Sequence, residues 1–165
     1  MFCALIILGT YIRIPFPIPL TLQLLFTNTA ALLLGAKWGC VPSLLYVMCG
    51  VAGLPVFVSG GGVASILSPT FGFTLGFIPG SLLAGVISER GKSKSALAVA
   101  SAINMLCVYL CGVLHYLLIS NFYLAAPTSV IYATTVCVLP FIIPDSVKCG
   151  VSVLLYTKLK KHIKQ

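Results

Sequence analysis

Two stretches of this chain, residues 38–88 and 95–144, run for 51 and 50 residues without an Asp, Glu, Lys or Arg. A water-soluble surface needs charge every few residues, whereas a membrane span needs about 20 consecutive apolar residues to cross a hydrocarbon core of roughly 30 Å. Each stretch is therefore two spans and an uncharged connection. With one span before the first stretch and one in the tail, plus an apolar start, the sequence predicts an all-α integral membrane protein. It has one domain, 1–165, of six transmembrane helices at about 1–13, 20–36, 39–54, 70–88, 95–119 and 144–160. Residues 2–12 would rise only about 17 Å as a helix, so helix one is short or begins upstream. A secretory signal would need a basic start and a small-residue cleavage site before Arg13, and neither is present.

The positions of the charges set the topology. With six spans, Lys37, the segment ERGKSK at 89–94 and the tail lysines Lys158, Lys160, Lys161 and Lys164 all fall on one side of the membrane. Basic residues favour the cytoplasmic side, which predicts a cytoplasmic-membrane protein with both termini inside. Eight of the ten cations are then explained, and Arg13 and Lys148 are left over. The net charge of +8 does not imply nucleic acid, because the basic residues sit at helix ends without an aromatic-rich polar platform. The seven cysteines form no CxxC and have no His partner at metal spacing, so no metal or cofactor is expected. Cys107 and Cys111, four residues apart, read as packing residues. The absence of a Walker A sequence means the chain cannot hydrolyse ATP by itself. Without a recognisable nucleophile or metal set, the sequence argues against an enzyme.

Between the spans, IPFPIPLT (Ile14–Thr21) places proline at every second position and must be extended. The segment Pro55–Pro69 contains Gly60-Gly61-Gly62, which no lipid-facing helix would keep. Both connections fall on the outer side, an arrangement of lids over a pocket. Gln23, Thr27, Asn28 and Thr29 in the second helix should face protein rather than lipid. Gly72, Gly76, Gly80 and Ala84 at four-residue spacing make a small-residue face for close helix packing. In the fifth helix, Asn104, Tyr109 and His115 are the polar positions. His115 is read as a hydrogen-bonded packing residue.

Asp145 and Lys148, three residues apart, share one face of the last helix. Counted up from Lys158, Lys148 lies about 15 Å and Asp145 about 20 Å above the cytoplasmic boundary. Charges at that depth each cost at least about 2.5–3.5 kcal/mol and must face the bundle or a wet cavity. One reading is a structural ion pair bracing the helix against Arg13. Another is binding, with Pro144 opening the helix and Asp145 at its positive end. A carboxylate accepts from N–H groups and an ammonium donates to a carbonyl, so a urea or amide ring would match both.

Five segments in order carry a family resemblance. FPIPLTLQ (16–23) resembles P-x-P-x-T-L-Q, LGAKWG (34–39) resembles LG-x-x-x-G, and GLPVFVSGGG (53–62) resembles GLPVF with its glycine-rich loop. SPTFGFTLGF (68–77) resembles GPTGGYLLGF, and LPFIIPDSVK (139–148) resembles LPF-x-x-GD-x-x-K. These are motifs of BioY, the biotin-specific S-component family of energy-coupling-factor (ECF) vitamin transporters. The resemblance implies an S-component-like bundle whose outer loops cover a biotin pocket, with Asp145 and Lys148 holding the ureido head. It implies that Gly60, Gly61, Gly62, Phe73 and Thr74 line the same site. Its implied partners are biotin, the lipid bilayer, an ECF coupling membrane subunit and ATPase subunits. Arg13 is our own candidate for the ligand carboxylate. The chain departs from the pattern at Ser68, Phe71 and Pro144, each in place of Gly, and at His115 in place of a frequent Trp. Its first helix lacks the Ala-xxx-Ala motif that S-components use against the coupling subunit. The alternatives are a transporter for another vitamin or heterocycle and a non-transporting structural subunit.

Overall fold

The first helical hairpin turns on a single glycine. The computed structural model describes residues 1–14, 20–58 and 60–163. Helix α2, Gln23–Val51, is broken only at Gly35, where φ is 80° and ψ is −168°. Glycine alone adopts that backbone without strain. The arms 23–34 and 36–51 fold back on each other. A methyl group added at Gly39 would lie 2.6 Å from Ala31 Cα, and Gln23 Nε2 donates to Tyr46 Oη at 2.6 Å. Residues 23 and 46 of an unbroken helix would stand about 34 Å apart. The spans expected at 20–36 and 39–54 are thus the two arms of α2, joined by a tighter connection than the sequence predicts.

Glu89 fastens this hairpin. Its Oε1 accepts the backbone N–H of Ala36 at 2.9 Å, a group that opens the second arm and has no partner of its own within the helix. Glu89→Ala is therefore expected to destabilise the protein by about 0.5–2 kcal/mol, the range for losing an N-terminal cap. The result would be read as a lower melting temperature in detergent with ligand binding retained.

The rest of the bundle follows in order. Helix α1 (Phe2–Tyr11) is followed by a two-residue antiparallel ladder, β1 (Arg13–Ile14) with β2 (Leu20–Thr21), in which Arg13 lies opposite Thr21. After α2 come a 3₁₀ turn (Val63–Leu67) and helices α3 (Phe71–Arg90) and α4 (Lys94–Leu118). Ser93 Oγ caps α4 by accepting the N–H of Ala96 at 3.2 Å, and α4 runs on through a π-helical turn, Ile119–Tyr123. A short helix that the sequence did not signal, α5 (Val130–Cys137), precedes α6 (Leu139–Ile163). Among the described residues, four helical segments are long and apolar enough to cross a membrane: Gln23–Val51, Phe71–Arg90, Lys94–Tyr123 and Leu139–Lys161. Because the first doubles back, it contributes two rods to a six-helix membrane bundle completed by α1, α3, α4 and α6.

The small-residue face of α3 is spent inside the chain. A methyl group at Gly76 would lie 2.7 Å from Val108 Cα, and one at Gly80 would overlap Asn104 Oδ1. Such close approach lets α3 lie directly on α4. Beneath this contact Asn104 Nδ2 donates to Asn28 Oδ1 at 2.8 Å, and both residues are wholly buried. The polar positions expected to face protein do so: Gln23, Thr27, Asn28 and Thr29 are all buried. On the outside, Leu106, Leu110, Leu114 and Leu118 of α4 form an exposed stripe suited to lipid. At one end of the bundle Glu89 reaches Ala36, and Lys160 Nζ donates to Tyr156 Oη, whose ring packs with Ala31, Ala84 and Leu97.

Candidate ligand site

At the opposite end a cavity of about 340 Å³ opens among α2, α3, α4, α5 and α6, beneath the connection from α2 to α3. Its ionised groups, among the described residues, are Asp145 and Lys148. Both are buried, 7% and 8% exposed. Lys148 Nζ donates to Asp145 Oδ1 at 2.6 Å, and Tyr109 Oη on α4 donates to Asp145 Oδ2 at 2.7 Å. Pairing offsets the desolvation of each charge, and removing one partner would strand the other. Lys148 keeps two N–H groups and Asp145 keeps lone pairs, so the pair can still donate and accept.

The expected reason for Asp145's position needs correction. Helix α6 starts at Leu139, not at 144, so Asp145 is its seventh residue and lies past the free N–H groups of the first turn. Pro140 occupies that first turn, where a missing N–H has no cost, and Pro144 sits a turn further in. Side-chain partners, not the helix terminus, therefore hold the carboxylate.

Apolar walls surround the pair. Phe71, Phe73, Phe77, Val108 and Phe141 line the cavity. Phe71 is fixed edge-on between Phe57, with ring centres 5.6 Å apart, and His115, at 5.9 Å. The expected role for His115 as a hydrogen-bonded packing residue is only half met, because its Nδ1 has no partner among the described residues. A second polar group faces the cavity from α2. Gln23 Nε2 donates to Thr10 Oγ1 at 2.8 Å and to Tyr46 Oη at 2.6 Å, Thr21 Oγ1 donates to Gln23 Oε1 at 2.9 Å, and Tyr46 Oη donates to the Val56 carbonyl at 3.2 Å. One amide thereby ties α1, both arms of α2 and the following loop together.

Of the residues singled out in the sequence, Asp145, Lys148, Phe73 and Thr74 lie on the cavity wall. The three loop glycines are not among its lining residues; Val58 and Ser65 of the same connection are. The glycines shape that connection instead. Phe57 and Gly60 exchange backbone hydrogen bonds at 2.9 and 3.0 Å, and the Gly62 N–H donates to the Gly50 carbonyl at 2.7 Å. Gly60 and Gly62 hold φ of 104° and 102°, the region that glycine tolerates. Arg13 also lies off the wall: its Nη1 donates to the Val58 carbonyl at 3.0 Å. Tyr11 Oη donates to the Pro55 carbonyl, so the last residue of α1 and Arg13 just beyond it clasp the loop that roofs the cavity. The proline-rich residues 15–19, Ser59 and Lys164 lie outside the described residues. Sequence reasoning gave no role to Tyr109, Tyr46 or Phe141, whose places depend on how distant helices pack.

The BioY family model matches residues 1–165. The chain is 35% identical over 164 residues to a probable biotin transporter BioY of Lysinibacillus sphaericus, covering 98% of this chain and 84% of that protein. It is 34% identical over 163 residues to the biotin transporter BioY of Thermotoga maritima, covering 98% and 92%. Among solved structures, it superposes on the S-component for biotin from an ECF-type ABC transporter with a TM-score of 0.81 and 26% identity, over 97% of this chain and 87% of the other.

Proposed function

Since this chain belongs to the BioY family, we propose that it captures biotin in the cavity beneath its outer loops and serves biotin uptake across the cell membrane. It is a multi-pass membrane transport protein and not an enzyme. The observation that carries the reading is the buried Asp145–Lys148 pair facing an apolar cavity. In this arrangement the ureido carbonyl of biotin accepts from Lys148 Nζ and a ureido N–H donates to Asp145. The thiophane ring and aliphatic chain lie against the aromatic wall, with Phe73 and Thr74 in contact. A cavity of about 340 Å³ is in the range that encloses small ligands.

The glycines Gly60, Gly61 and Gly62 act by setting the roof. In this reading Arg13, whose Nη1 donates to the carbonyl of the cavity residue Val58, exchanges that contact for the ligand carboxylate. Positive-inside topology supports both termini in the cytoplasm and an outward cavity. Energy for uptake comes from an ECF coupling membrane subunit and its ATPase subunits, since this chain carries no nucleotide-binding motif.

Equilibrium binding of radiolabelled biotin to the detergent-purified chain tests the proposal, with unlabelled biotin and an unrelated vitamin as competitors. Saturable binding displaced only by biotin is expected. Displacement by the other vitamin would reassign the ligand, and no saturable binding by folded protein would favour a structural subunit.

A further inference from the structure

We infer that the groove between α4 and α6 seats an acyl chain of an anionic phospholipid, with the lipid phosphate among Lys94, Lys158 and Lys161. This second site lies on the membrane face of the bundle and is independent of the biotin reading. The groove, of about 340 Å³, is lined by Ala98, Ala102 and Met105 of α4 and by Ser146, Gly150 and Leu154 of α6. It opens outward, since Ala98, Ser146, Gly150 and Leu154 are exposed, and a Cβ added at Gly150 would meet nothing within 4 Å. Its polar side chains are already engaged: Ser146 Oγ donates to the Ile142 carbonyl at 2.6 Å, and Cys149 Sγ donates to the Ser101 carbonyl at 3.6 Å. What remains to offer is apolar contact, which suits a hydrocarbon chain.

Length favours a lipid over a transmembrane partner helix. From Ser146 to Leu154 the groove runs about 12 Å, within one leaflet of a hydrocarbon core of roughly 30 Å, whereas a packed spanning helix would use a longer seat. Charge selects the headgroup. The hydroxyls of Ser101 and Ser152 meet at 3.3 Å, which fixes the register of these antiparallel helices. From that level Lys94 stands about 10 Å back along α4, and Lys158 and Lys161 stand about 9 and 14 Å on along α6, toward the same end of the bundle. Lys94 continues the line of Ala98 and Ala102 at four-residue spacing, and Lys161 lies three turns beyond Gly150 on its face. All three lysines are exposed. The two acids of the chain are engaged elsewhere, Asp145 with Lys148 and Glu89 with the Ala36 N–H. The groove therefore ends in uncompensated positive charge, which attracts an anionic headgroup at the membrane surface, and flexible lysine stems let each ammonium reach one phosphate.

The test measures phospholipid retained by the full detergent-purified chain in native mass spectra, with phosphatidylglycerol and phosphatidylcholine of identical acyl chains as probes. The unaltered protein is expected to retain one phosphatidylglycerol per chain and to prefer it at least about fivefold, what one lysine contributes near a membrane surface. Lys94→Gln with Lys158→Gln and Lys161→Gln should remove that preference and leave phosphatidylcholine retention unchanged. Gly150→Leu fills the groove and should lower retention of both lipids at least about fourfold, the worth of one buried methylene. A large excess of glycerol phosphate should not displace the lipid, which separates a lipid site from one for free phosphate. Equal retention of the two lipids by the unaltered protein overturns the inference. So does a preference kept by the triple lysine variant, displacement by glycerol phosphate, or full retention in Gly150→Leu. If Gly150→Leu instead turns a dimer into a monomer with phosphatidylglycerol retention unchanged, the groove belongs to a second copy of this chain. Should Gly150→Leu fail to fold, Ala98→Leu on the opposite wall takes its place, with the same outcomes.

Discussion

Asp145→Ala is expected to abolish biotin retention, weakening it by at least about a hundredfold, which is about 2.7 kcal/mol. The carboxylate supplies a charge-assisted hydrogen bond to the ligand, about 1.5–3 kcal/mol by itself. It also accepts from Lys148 and Tyr109, at 2.6 and 2.7 Å. Its removal strands a buried ammonium, a loss that in other proteins costs about 3–5 kcal/mol of stability. The melting temperature should therefore fall along with binding. Adding Lys148→Ala removes the stranded charge, so the double variant should melt above Asp145→Ala while still failing to retain biotin. Melting curves and biotin retention for the unaltered protein, Asp145→Ala, Lys148→Ala and the double variant check both statements. A double variant that regains biotin would show the pair to be a brace and not a binding group.

The second large effect is on folding. Gly80→Val should prevent recovery of a monodisperse protein in detergent, or lower its stability by about 3 kcal/mol or more, beyond the usual range for overpacking. A side chain at position 80 collides with Asn104 Oδ1 and lies 2.9 Å from the Asn104 carbonyl, which is helix backbone and cannot turn away. Pushing α3 off α4 would also open the contact between Asn104 and Asn28, leaving amides unpaired inside a membrane bundle. Gly150→Ala is the matched control. Nothing lies within 4 Å of a Cβ there, so it should be neutral or slightly stabilising, because alanine favours the helix over glycine. Size-exclusion profiles and melting curves of the two variants separate a packing effect from a general intolerance of glycine replacement.

The parts of this molecule written in local pattern were legible in the sequence. Uncharged runs announce spans because lipid tolerates nothing else, and two acids among 165 residues make Asp145 conspicuous. The spacing of Gly72, Gly76 and Gly80 marked a packing face, and the structure identifies its partner as α4. Proline misled at α6. Pro144 looked like a helix start because proline suits one, yet Pro140 already occupies the first turn of a helix that begins at Leu139. The glycine run was likewise read as cavity lining, whereas its residues bend the backbone that brings Val58 and Ser65 to the wall. Tyr109 had no local signature. It sits 36 residues from Asp145, and only the packing of α4 on α6 brings the hydroxyl to the carboxylate.

The neutrality of the pair in the cavity has an electrical consequence. Asp145 and Lys148 cancel, and they are the ionised groups among the described residues that line the space. Arg13 and the pair stay with the protein, so a biotin anion released on the inner side has carried a single negative charge across. Moving that charge inward opposes an interior-negative membrane potential at about 2.3 kcal/mol per 100 mV. Tighter binding cannot perform this work, because whatever deepens the outer well must be returned on release. The voltage therefore adds an electrical part to the free energy of each cycle, beside the concentration term, and that part rises as the membrane hyperpolarises.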